Sequence, residues 1–234
     1  MSNSWFRFKQ FNIEQERCSM KVGTDGVLLG AWFPLDHGCS VLDIGTGTGL
    51  VALMAAQRGA VSVTAVDIDA DAVLQARQNA AASAWANKVE VICQDIATFN
   101  TDIRFDRIVC NPPFFRDSLR SPDAGRNTAR HNDSLSFETL AQRAASLLAP
   151  GGRFCLVLPY DAVEVFIRCA AAAGLDMCKR TDVVTAPGKT PKRSLVAFGK
   201  SCPAVERDVL HMCGPEGKET PQYVELVKDF YLKY

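Results

Sequence analysis

Residues 41–49 read Val-Leu-Asp-Ile-Gly-Thr-Gly-Thr-Gly, and a helical pattern follows directly at 50–58. The apolar start predicts a short strand, and the glycines allow a tight turn where a ligand can approach the backbone. A dinucleotide-binding fold also places glycines at this turn, but with the spacing Gly-x-Gly-x-x-Gly, and position 50 is Leu50. The segment therefore predicts the first strand–turn–helix unit of an α/β sheet, with a ligand site at the turn.

Strand and helix patterns alternate along the rest of the chain. Further strand patterns occupy 61–68, 89–93, 108–110 and 154–158, and helical patterns occupy 70–84, 136–148 and 161–173. Two last strand patterns, at 180–185 and 195–200, have no helix between them. Alternation followed by such a pair is typical of a doubly wound, mostly parallel, Rossmann-like sheet with an antiparallel edge, here of seven strands.

The predicted α/β sheet divides the chain into three segments. We expect an N-terminal segment at 1–35 that packs on the ligand side, the sheet domain at 36–202, and a C-terminal extension at 203–234. The extension contains a helical pattern at 223–232 and is expected to dock on the same domain.

Composition narrows the class of protein. A chain of 234 residues, 47% of them apolar, can bury one full α/β core. Its 26 basic residues balance its 26 acidic ones, so any RNA-binding surface must be local. The nine cysteines include no Cys-x-x-Cys pair, which favours free thiols in a reducing cytoplasm over a metal site. No export signal is visible, and no apolar stretch approaches the roughly 18 residues of a membrane span.

Acidic residues stand at the ends of the second and third predicted strands. Asp67 lies 22 residues beyond Gly45, where a carboxylate can accept hydrogen bonds from both ribose hydroxyls. Asp95 is placed to accept from an adenine amino group. Asp67 could instead cap the following helix, but Asp69 competes for that position, and Asp95 could be a simple turn residue.

Asn111, Pro112, Pro113 and Phe114 follow the fourth predicted strand. The lone pair of an exocyclic adenine amine is delocalised into the ring, and a site can localise it by accepting both N–H protons. The Asn111 side chain and the Pro112 backbone offer two carbonyl acceptors, and Phe114 offers a ring on which a base can stack. Without the upstream glycine motif, the same residues would indicate only a proline-rich turn.

The motifs at 42–49, 66–67, 94–95 and 111–114 resemble, in this order, those of class I S-adenosylmethionine-dependent methyltransferases. The Asn-Pro-Pro-aromatic form resembles the enzymes of that class that methylate amino groups. The resemblance implies the cofactor S-adenosyl-L-methionine and direct transfer of its methyl group to an amine.

Residues near the two termini resemble one family within this class. Residues 8–11 read Phe-Lys-Gln-Phe, and 18–32 read Cys-Ser-Met-Lys-Val-Gly-Thr-Asp-Gly-Val-Leu-Leu-Gly-Ala-Trp. Both stretches, with the closing Asp-Phe-Tyr-Leu at 229–232, are similar to the bacterial tRNA(Val) adenine N6-methyltransferase family. The likeness runs from end to end and implies methylation of adenosine 37 in the anticodon loop of tRNA1(Val).

The resemblance also implies a set of site residues. Those expected to hold S-adenosyl-L-methionine are Lys21, Thr24, Asp25, Asp43, Gly45, Thr46, Gly47, Gly49, Asp67, Ile68, Asp95, Ile96 and Asn111. Those expected to place the target base are Asn111, Pro112, Pro113 and Phe114. No metal ion and no obligate protein partner are expected.

Two basic runs flank the Asn-Pro-Pro-Phe segment and are candidates for phosphate contacts. Their members are Arg116, Arg120, Arg126, Arg130, Lys189, Lys192 and Arg193. Surface charge runs are often only solvated, so each single contact stays open.

Other functions remain open on the residues alone. Asn-Pro-Pro-aromatic segments also serve enzymes that methylate guanine N2 in ribosomal RNA, adenine in DNA or glutamine in protein. DNA enzymes usually carry an added recognition domain, for which the chain after 158 leaves little room. An NAD-dependent oxidoreductase disagrees with the glycine spacing, and a non-catalytic RNA-binding module disagrees with the intact motifs.

Overall fold

The structure is a computed structural model that describes residues 3–112 and 135–234. Within these ranges ten strands form two sheets. Strands β1 (Trp5–Arg7) and β2 (Asn12–Glu14) form a small antiparallel hairpin. The others are β3 (Ser40–Ile44), β4 (Ser62–Asp67), β5 (Val89–Cys93), β6 (Phe105–Cys110), β7 (Leu148–Pro159), β8 (Asp176–Val184), β9 (Arg193–Gly199) and β10 (Glu206–His211). They form an eight-stranded sheet with the order β10-β8-β9-β7-β6-β3-β4-β5.

Six α-helices are present in the described part of the chain. They are α1 (Thr24–Trp32), α2 (Leu50–Gln57), α3 (Ala70–Ala81), α4 (Phe137–Leu147), α5 (Val163–Ala172) and α6 (Pro221–Val227). One turn of 3-10 helix, Tyr160–Ala162, joins β7 to α5. No helix among these residues is long and apolar enough to cross a membrane.

The predicted α/β class is confirmed, and the sheet has one strand more than the predicted seven. The additional strand, β10, pairs in parallel with β8 at the sheet edge. Only Leu210 of β10 is buried, so its sequence lacks the apolar alternation by which strands are recognised. Strand β9 is antiparallel to both β7 and β8, and therefore the antiparallel strand lies inside the sheet and not at its edge.

The cysteine prediction is wrong for one pair. Cys178 and Cys202 form a disulfide, because β8 and the segment after β9 bring their Cα atoms within 5.1 Å, across 24 residues of sequence. The other seven cysteines are free. Burial raises the pKa of the Cys155 thiol to about 12, so this group stays protonated and behaves as a small apolar side chain.

The two chain ends pack against each other on the sheet domain. The Lys9 amide donates to the Phe230 carbonyl at 2.8 Å, and the Phe8 and Tyr231 rings stack with centroids 6.0 Å apart. Phe8 and Phe230 share one core cluster with Val51 of the sheet domain. We therefore propose that the boundaries near residues 35 and 202 separate segments of one folding unit.

Buried polar side chains hold the N-terminal segment over the glycine turn. The Asn79 side chain accepts from the Glu14 amide at 2.9 Å and donates to the carbonyls of Glu14 and Thr48, both at 2.8 Å. Gln75, one turn earlier on α3, accepts from the Arg17 amide at 3.4 Å. Helix α3 thus fixes strand β2 and the turn after β3 at the same time.

Replacing Asn79 by Ala tests this link. The substitution leaves three backbone groups without their partners, so we expect the free energy of unfolding in urea to fall by about 2–3 kcal/mol. Leu74→Ala, at a half-exposed position of the same helix, is the matched control and should have the smaller effect. Equal unfolding midpoints for the two variants would contradict the role given to Asn79.

Candidate functional site

A cavity of about 630 Å³ opens at the carboxyl ends of β3, β4, β5 and β6. Ten of the predicted cofactor residues line it: Lys21, Asp43, Gly45, Thr46, Gly47, Asp67, Ile68, Asp95, Ile96 and Asn111. Pro112 also lines it. Its volume is in the range of small-molecule sites. The structure therefore brings most of the predicted residues together around one cavity.

The segment 18–23 covers one side of the cavity, the side on which the N-terminal segment and Lys21 were expected. Sequence reasoning missed another part of the wall, which Leu135, Ser136 and Thr139 form at the start of α4. Nothing in the residue pattern of α4 signals a ligand site.

The glycine turn is open towards the cavity. Gly45 and Gly47 have φ angles of 68° and 54°, and a Cβ atom at either position would meet nothing within 4 Å. Their backbone conformation, and not crowding by the protein, therefore requires glycine here. Gly49 is different, because it does not line the cavity and a Cβ there would lie 3.4 Å from Ala76. Gly49 also has a positive φ angle, 81°, so its backbone conformation favours glycine too, and its expected cofactor contact stays a prediction.

Asp67 lies at the cavity wall and orders the turn. Its Oδ2 accepts from the Gly47 amide at 2.8 Å, and its Oδ1 accepts from the Asp69 amide at 3.0 Å. Asp69 caps α3 by accepting from the amides of Asp71 and Ala72. Since Asp69 is the helix cap, the capping alternative for Asp67 is excluded.

Asp43 and Asp95 both line the cavity, and each also accepts hydrogen bonds from the protein itself. Asp43 is buried, and its Oδ2 accepts from Thr46 Oγ1 at 2.7 Å and from the Ala52 amide at 3.1 Å. Burial raises the pKa of the Asp43 carboxyl to about 7, although the hydrogen bond from Thr46 opposes this change. Asp95 accepts from the Ala97 amide at 2.8 Å, so it is a turn residue as well as a wall residue.

Asn111 follows β6 and carries a buried acceptor. Its Oδ1 is buried and has no hydrogen-bond partner among the described residues. Its Nδ2 lies 3.9 Å from the sulfur of Met20, which is a weak acceptor. An unpartnered buried carbonyl is costly unless a ligand satisfies it, so Asn111 marks a place for an N–H donor. Pro113 and Phe114 lie outside the described residues.

Two predicted cofactor residues lie elsewhere. Thr24 and Asp25 begin α1 and do not line the cavity. Asp25 Oδ2 instead accepts from Arg193 Nε at 2.8 Å, an ion pair between α1 and β9. The carboxylate of Asp25 thus has a cationic partner on β9, and its expected role at the cofactor stays a prediction.

The predicted RNA residues divide into two groups. Lys189 and Lys192 are exposed in the turn between β8 and β9, and Arg193 begins β9 and pairs with Asp25. The arginines of the other run, Arg116, Arg120, Arg126 and Arg130, lie outside the described residues. Among the described residues no group of three His, Cys, Asp or Glu side chains could hold a metal ion.

The raised pKa of Asp43 gives a pH dependence of stability. Its folded-state pKa of about 7 lies above the ordinary value of 3.8, so its stabilising contribution is complete below about pH 4 and is lost as the pH rises through 7. Relative to Asp43→Asn, the cofactor-free protein should lose up to about 1.4 kcal/mol of unfolding free energy per pH unit in this window. Urea unfolding of both proteins between about pH 4 and 8 measures this, and parallel curves would contradict it.

Comparison with known proteins agrees with this geometry. The family described as "Methyltransferase small domain" matches residues 19–162. A protein of Bacteroides fragilis named tRNA1(Val) (adenine(37)-N6)-methyltransferase is 46% identical over 236 residues, covering 100% of both chains. Proteins of the same name from Phocaeicola vulgatus and Pseudoalteromonas translucida are 49% and 45% identical, covering 99% and 98% of this chain and 99% of each relative.

Solved structures share the fold. A predicted O-methyltransferase from Agrobacterium tumefaciens has a TM-score of 0.67 at 21% identity, covering 88% of this chain and 96% of its own. The glycopeptide N-methyltransferase MtfA in complex with S-adenosyl-L-methionine has a TM-score of 0.56 at 16% identity, covering 77% and 100%. At these identities the likeness concerns the fold alone. With its full-length relatives and its family match, the chain belongs to the S-adenosylmethionine-dependent methyltransferases, in the tRNA1(Val) (adenine(37)-N6)-methyltransferase family.

Proposed function

We propose that this protein transfers the methyl group of S-adenosyl-L-methionine to N6 of adenosine 37 in the anticodon loop of tRNA1(Val). The observation that carries the proposal is the buried Oδ1 of Asn111, which lies in the wall of the cavity and has no hydrogen-bond partner within 3–112 and 135–234. The full-length relatives that bear this activity in their names support the choice of substrate. Because the substrate is a tRNA, we also propose a cytoplasmic location.

The residues of the cavity fit S-adenosyl-L-methionine. This cofactor supplies a methyl group that its sulfonium already activates. The Asp67 carboxylate would accept from the ribose hydroxyls, and Asp95 would accept from the adenine amino group. Ile68, which is 65% exposed, and the buried Ile96 would provide apolar surfaces for the adenine ring. The open turn at Gly45–Gly47 would admit the ligand next to the backbone.

Three further wall residues would hold the amino-acid end of the cofactor. Asp43 lies at the end of β3, Thr46 is part of the glycine turn, and Lys21 lies on the covering segment, where its Nζ donates to the Asn3 carbonyl at 3.4 Å. A cationic ammonium group near Asp43 would favour the ionised carboxylate and oppose the effect of burial on its pKa.

Catalysis would depend on positioning and not on a protein nucleophile. Asn111 Oδ1 and the Pro112 carbonyl would accept the two N–H protons of the adenine amine, which localises the nitrogen lone pair towards the methyl group. The new N–C bond would form as the bond between the sulfonium sulfur and the methyl group breaks, which leaves S-adenosylhomocysteine. The cationic, acidic nitrogen would then lose its proton to solvent. Neither a strong general base nor a metal ion is then required. Phe114 is proposed to stack on the target base.

The RNA would bind beside the cavity mouth. Lys189 and Lys192 are exposed and are proposed to contact phosphates, as are the arginines of the run at 116–130. Because Arg193 pairs with Asp25, we propose that it fixes α1 to β9 in addition to any phosphate contact.

Other substrates are compatible with the Asn-Pro-Pro-aromatic segment. Enzymes with this segment also methylate guanine N2 in ribosomal RNA or glutamine in release factors. Incubation with labelled methyl donor and, separately, unmodified tRNA1(Val), ribosomal RNA or a release factor separates these substrates. The proposal expects label in the tRNA. Label only in another substrate would contradict it.

Asp67 is predicted to contribute to cofactor affinity. Asp67→Ala removes a charged acceptor from the wall, so affinity for S-adenosylhomocysteine should fall by about 2–3 kcal/mol in calorimetry. Asp71→Ala is the matched control, since it removes an exposed carboxylate in the first turn of α3 that does not line the cavity, and it should have little effect on affinity. Unchanged affinity in folded Asp67→Ala would remove Asp67 from the site.

The second prediction separates catalysis from binding. Asn111→Ala should reduce turnover by roughly 10²–10³ while the affinity for S-adenosylhomocysteine stays nearly constant. Gln57→Ala is the control, because Gln57 Oε1 is also buried without a described partner but does not line the cavity. Parental turnover in Asn111→Ala would show that the amide does not act on the target amine.

The third prediction concerns the RNA surface. Replacing Lys189 and Lys192 together by Ala should weaken tRNA binding and flatten the dependence of log affinity on log salt by about 2 units if both contact phosphates. Cofactor affinity and melting temperature should not change. An unchanged salt slope would place the RNA on another surface.

A further inference from the structure

An aromatic side chain is exposed at the same sheet edge as Asn111. Tyr160 follows directly after β7 and is 42% exposed. In the parallel pair β6–β7, Cys110 is level with Leu156. Tyr160 is therefore three residues beyond the position level with Asn111, or about 10 Å along the strand direction. Tyr160 therefore follows the carboxyl end of β7, and the cavity opens at the carboxyl ends of β3 to β6 in the same sheet.

The Tyr160 ring is held in place from beneath. The Arg180 guanidinium carbon lies 4.9 Å from the ring centroid. Arg180 is only 6% exposed, and its guanidinium donates to Asp182 Oδ1 at 2.7 Å and to Glu164 Oε1 at 3.1 Å. Two carboxylates thus fix the cation, and the cation supports the ring. An exposed aromatic ring that is already ordered can bind a second flat group at low entropic cost.

The backbone links this ring to the exposed lysines. The Tyr160 amide donates to the Lys192 carbonyl at 3.1 Å, and Pro159 is in register with Arg193. Lys192 and Lys189 are exposed in the same turn between β8 and β9. Arg180 is already paired with two carboxylates, whereas Lys189 and Lys192 are exposed and can contact an anionic ligand. A flat ring beside exposed ammonium groups matches a nucleobase with its phosphates.

We propose that Tyr160 is a stacking platform for a nucleobase that flanks the methylated adenosine, with Lys189 and Lys192 contacting the adjoining phosphates. This inference rests on the proposed function, since it names a contact of the same RNA. Stacking tolerates every base, so the platform fixes the position of the loop and does not read its sequence. It holds the flanking base outside the cavity while the target base enters.

Kinetics on full-length tRNA1(Val) test the platform with two variants. Tyr160→Leu keeps an apolar cover over Arg180 but removes the ring, and we expect the KM for tRNA to rise about 5- to 100-fold. Tyr160→Phe keeps the ring and should restore the parental KM. Val209→Ala is the control at a comparably exposed position on β10. Affinity for S-adenosylhomocysteine and melting temperature should be unchanged in all three variants.

Fluorescence detects the stack directly. Full-length tRNA1(Val) with 2-aminopurine immediately 5′ or 3′ of the target adenosine is titrated with the parental protein, Tyr160→Phe and Tyr160→Leu. We expect fluorescence quenching at one of the two positions with the first two proteins and its loss with Tyr160→Leu.

Two outcomes would contradict the role of Tyr160 without contradicting the proposed function, provided that the parental protein methylates the tRNA. One is a parental KM in Tyr160→Leu, and the other is identical fluorescence with all three proteins. A parental protein that does not methylate unmodified tRNA1(Val) overturns the proposed function, and the platform with it.

Discussion

Parallel pairing of β3 with β4 on one side and β6 on the other is the constraint on which the site depends. Ile44 is in register with Val66 and with Cys110, so the three strands end at the same level. Gly45, Asp67 and Asn111, which are far apart in sequence, consequently meet at one edge. The site therefore depends on the pairing of these strands. The strand order reverses at β3, where ligands of open α/β sheets bind.

The N-terminal segment forms the part of the cavity wall that the sheet edge does not provide. Residues 18–23 cover the cavity, and two glutamine side chains hold this part of the N-terminal segment. Gln15 accepts from the Val22 amide at 2.8 Å, and Gln75 accepts from the Arg17 amide. The ion pair between Asp25 and Arg193 then ties α1 to β9, next to the turn that carries Lys189 and Lys192. The cover of the cofactor cavity and the proposed RNA surface are thus attached to the same scaffold.

The sequence was informative where local pattern and strand polarity decide the outcome. The sequence places glycines after one strand, an acidic residue at the end of the next and Asn111 after β6. Because parallel strands end at the same edge of a sheet, these residues are predicted to lie close together. Strand β10 escaped prediction because an edge strand with one buried residue has no apolar alternation. The partner of Asp25 could not be found from sequence, since it lies 168 residues away. The spacing of glycines also does not reveal that Gly45 and Gly47 line the cavity while Gly49 lies next to Ala76.

The proposed role of Asn111 is that its side-chain carbonyl, which has no partner among the described residues, accepts a hydrogen bond from the amine of one particular adenosine. Its most direct measurement is nucleoside-resolved mass spectrometry of tRNA1(Val), fragmented after incubation of the unmodified transcript with this protein and the methyl donor. The account predicts one added methyl group, on N6 of adenosine 37, and none in a transcript with guanosine at that position. Methylation at another nucleotide, or at a ring nitrogen or ribose oxygen of adenosine 37, would contradict it.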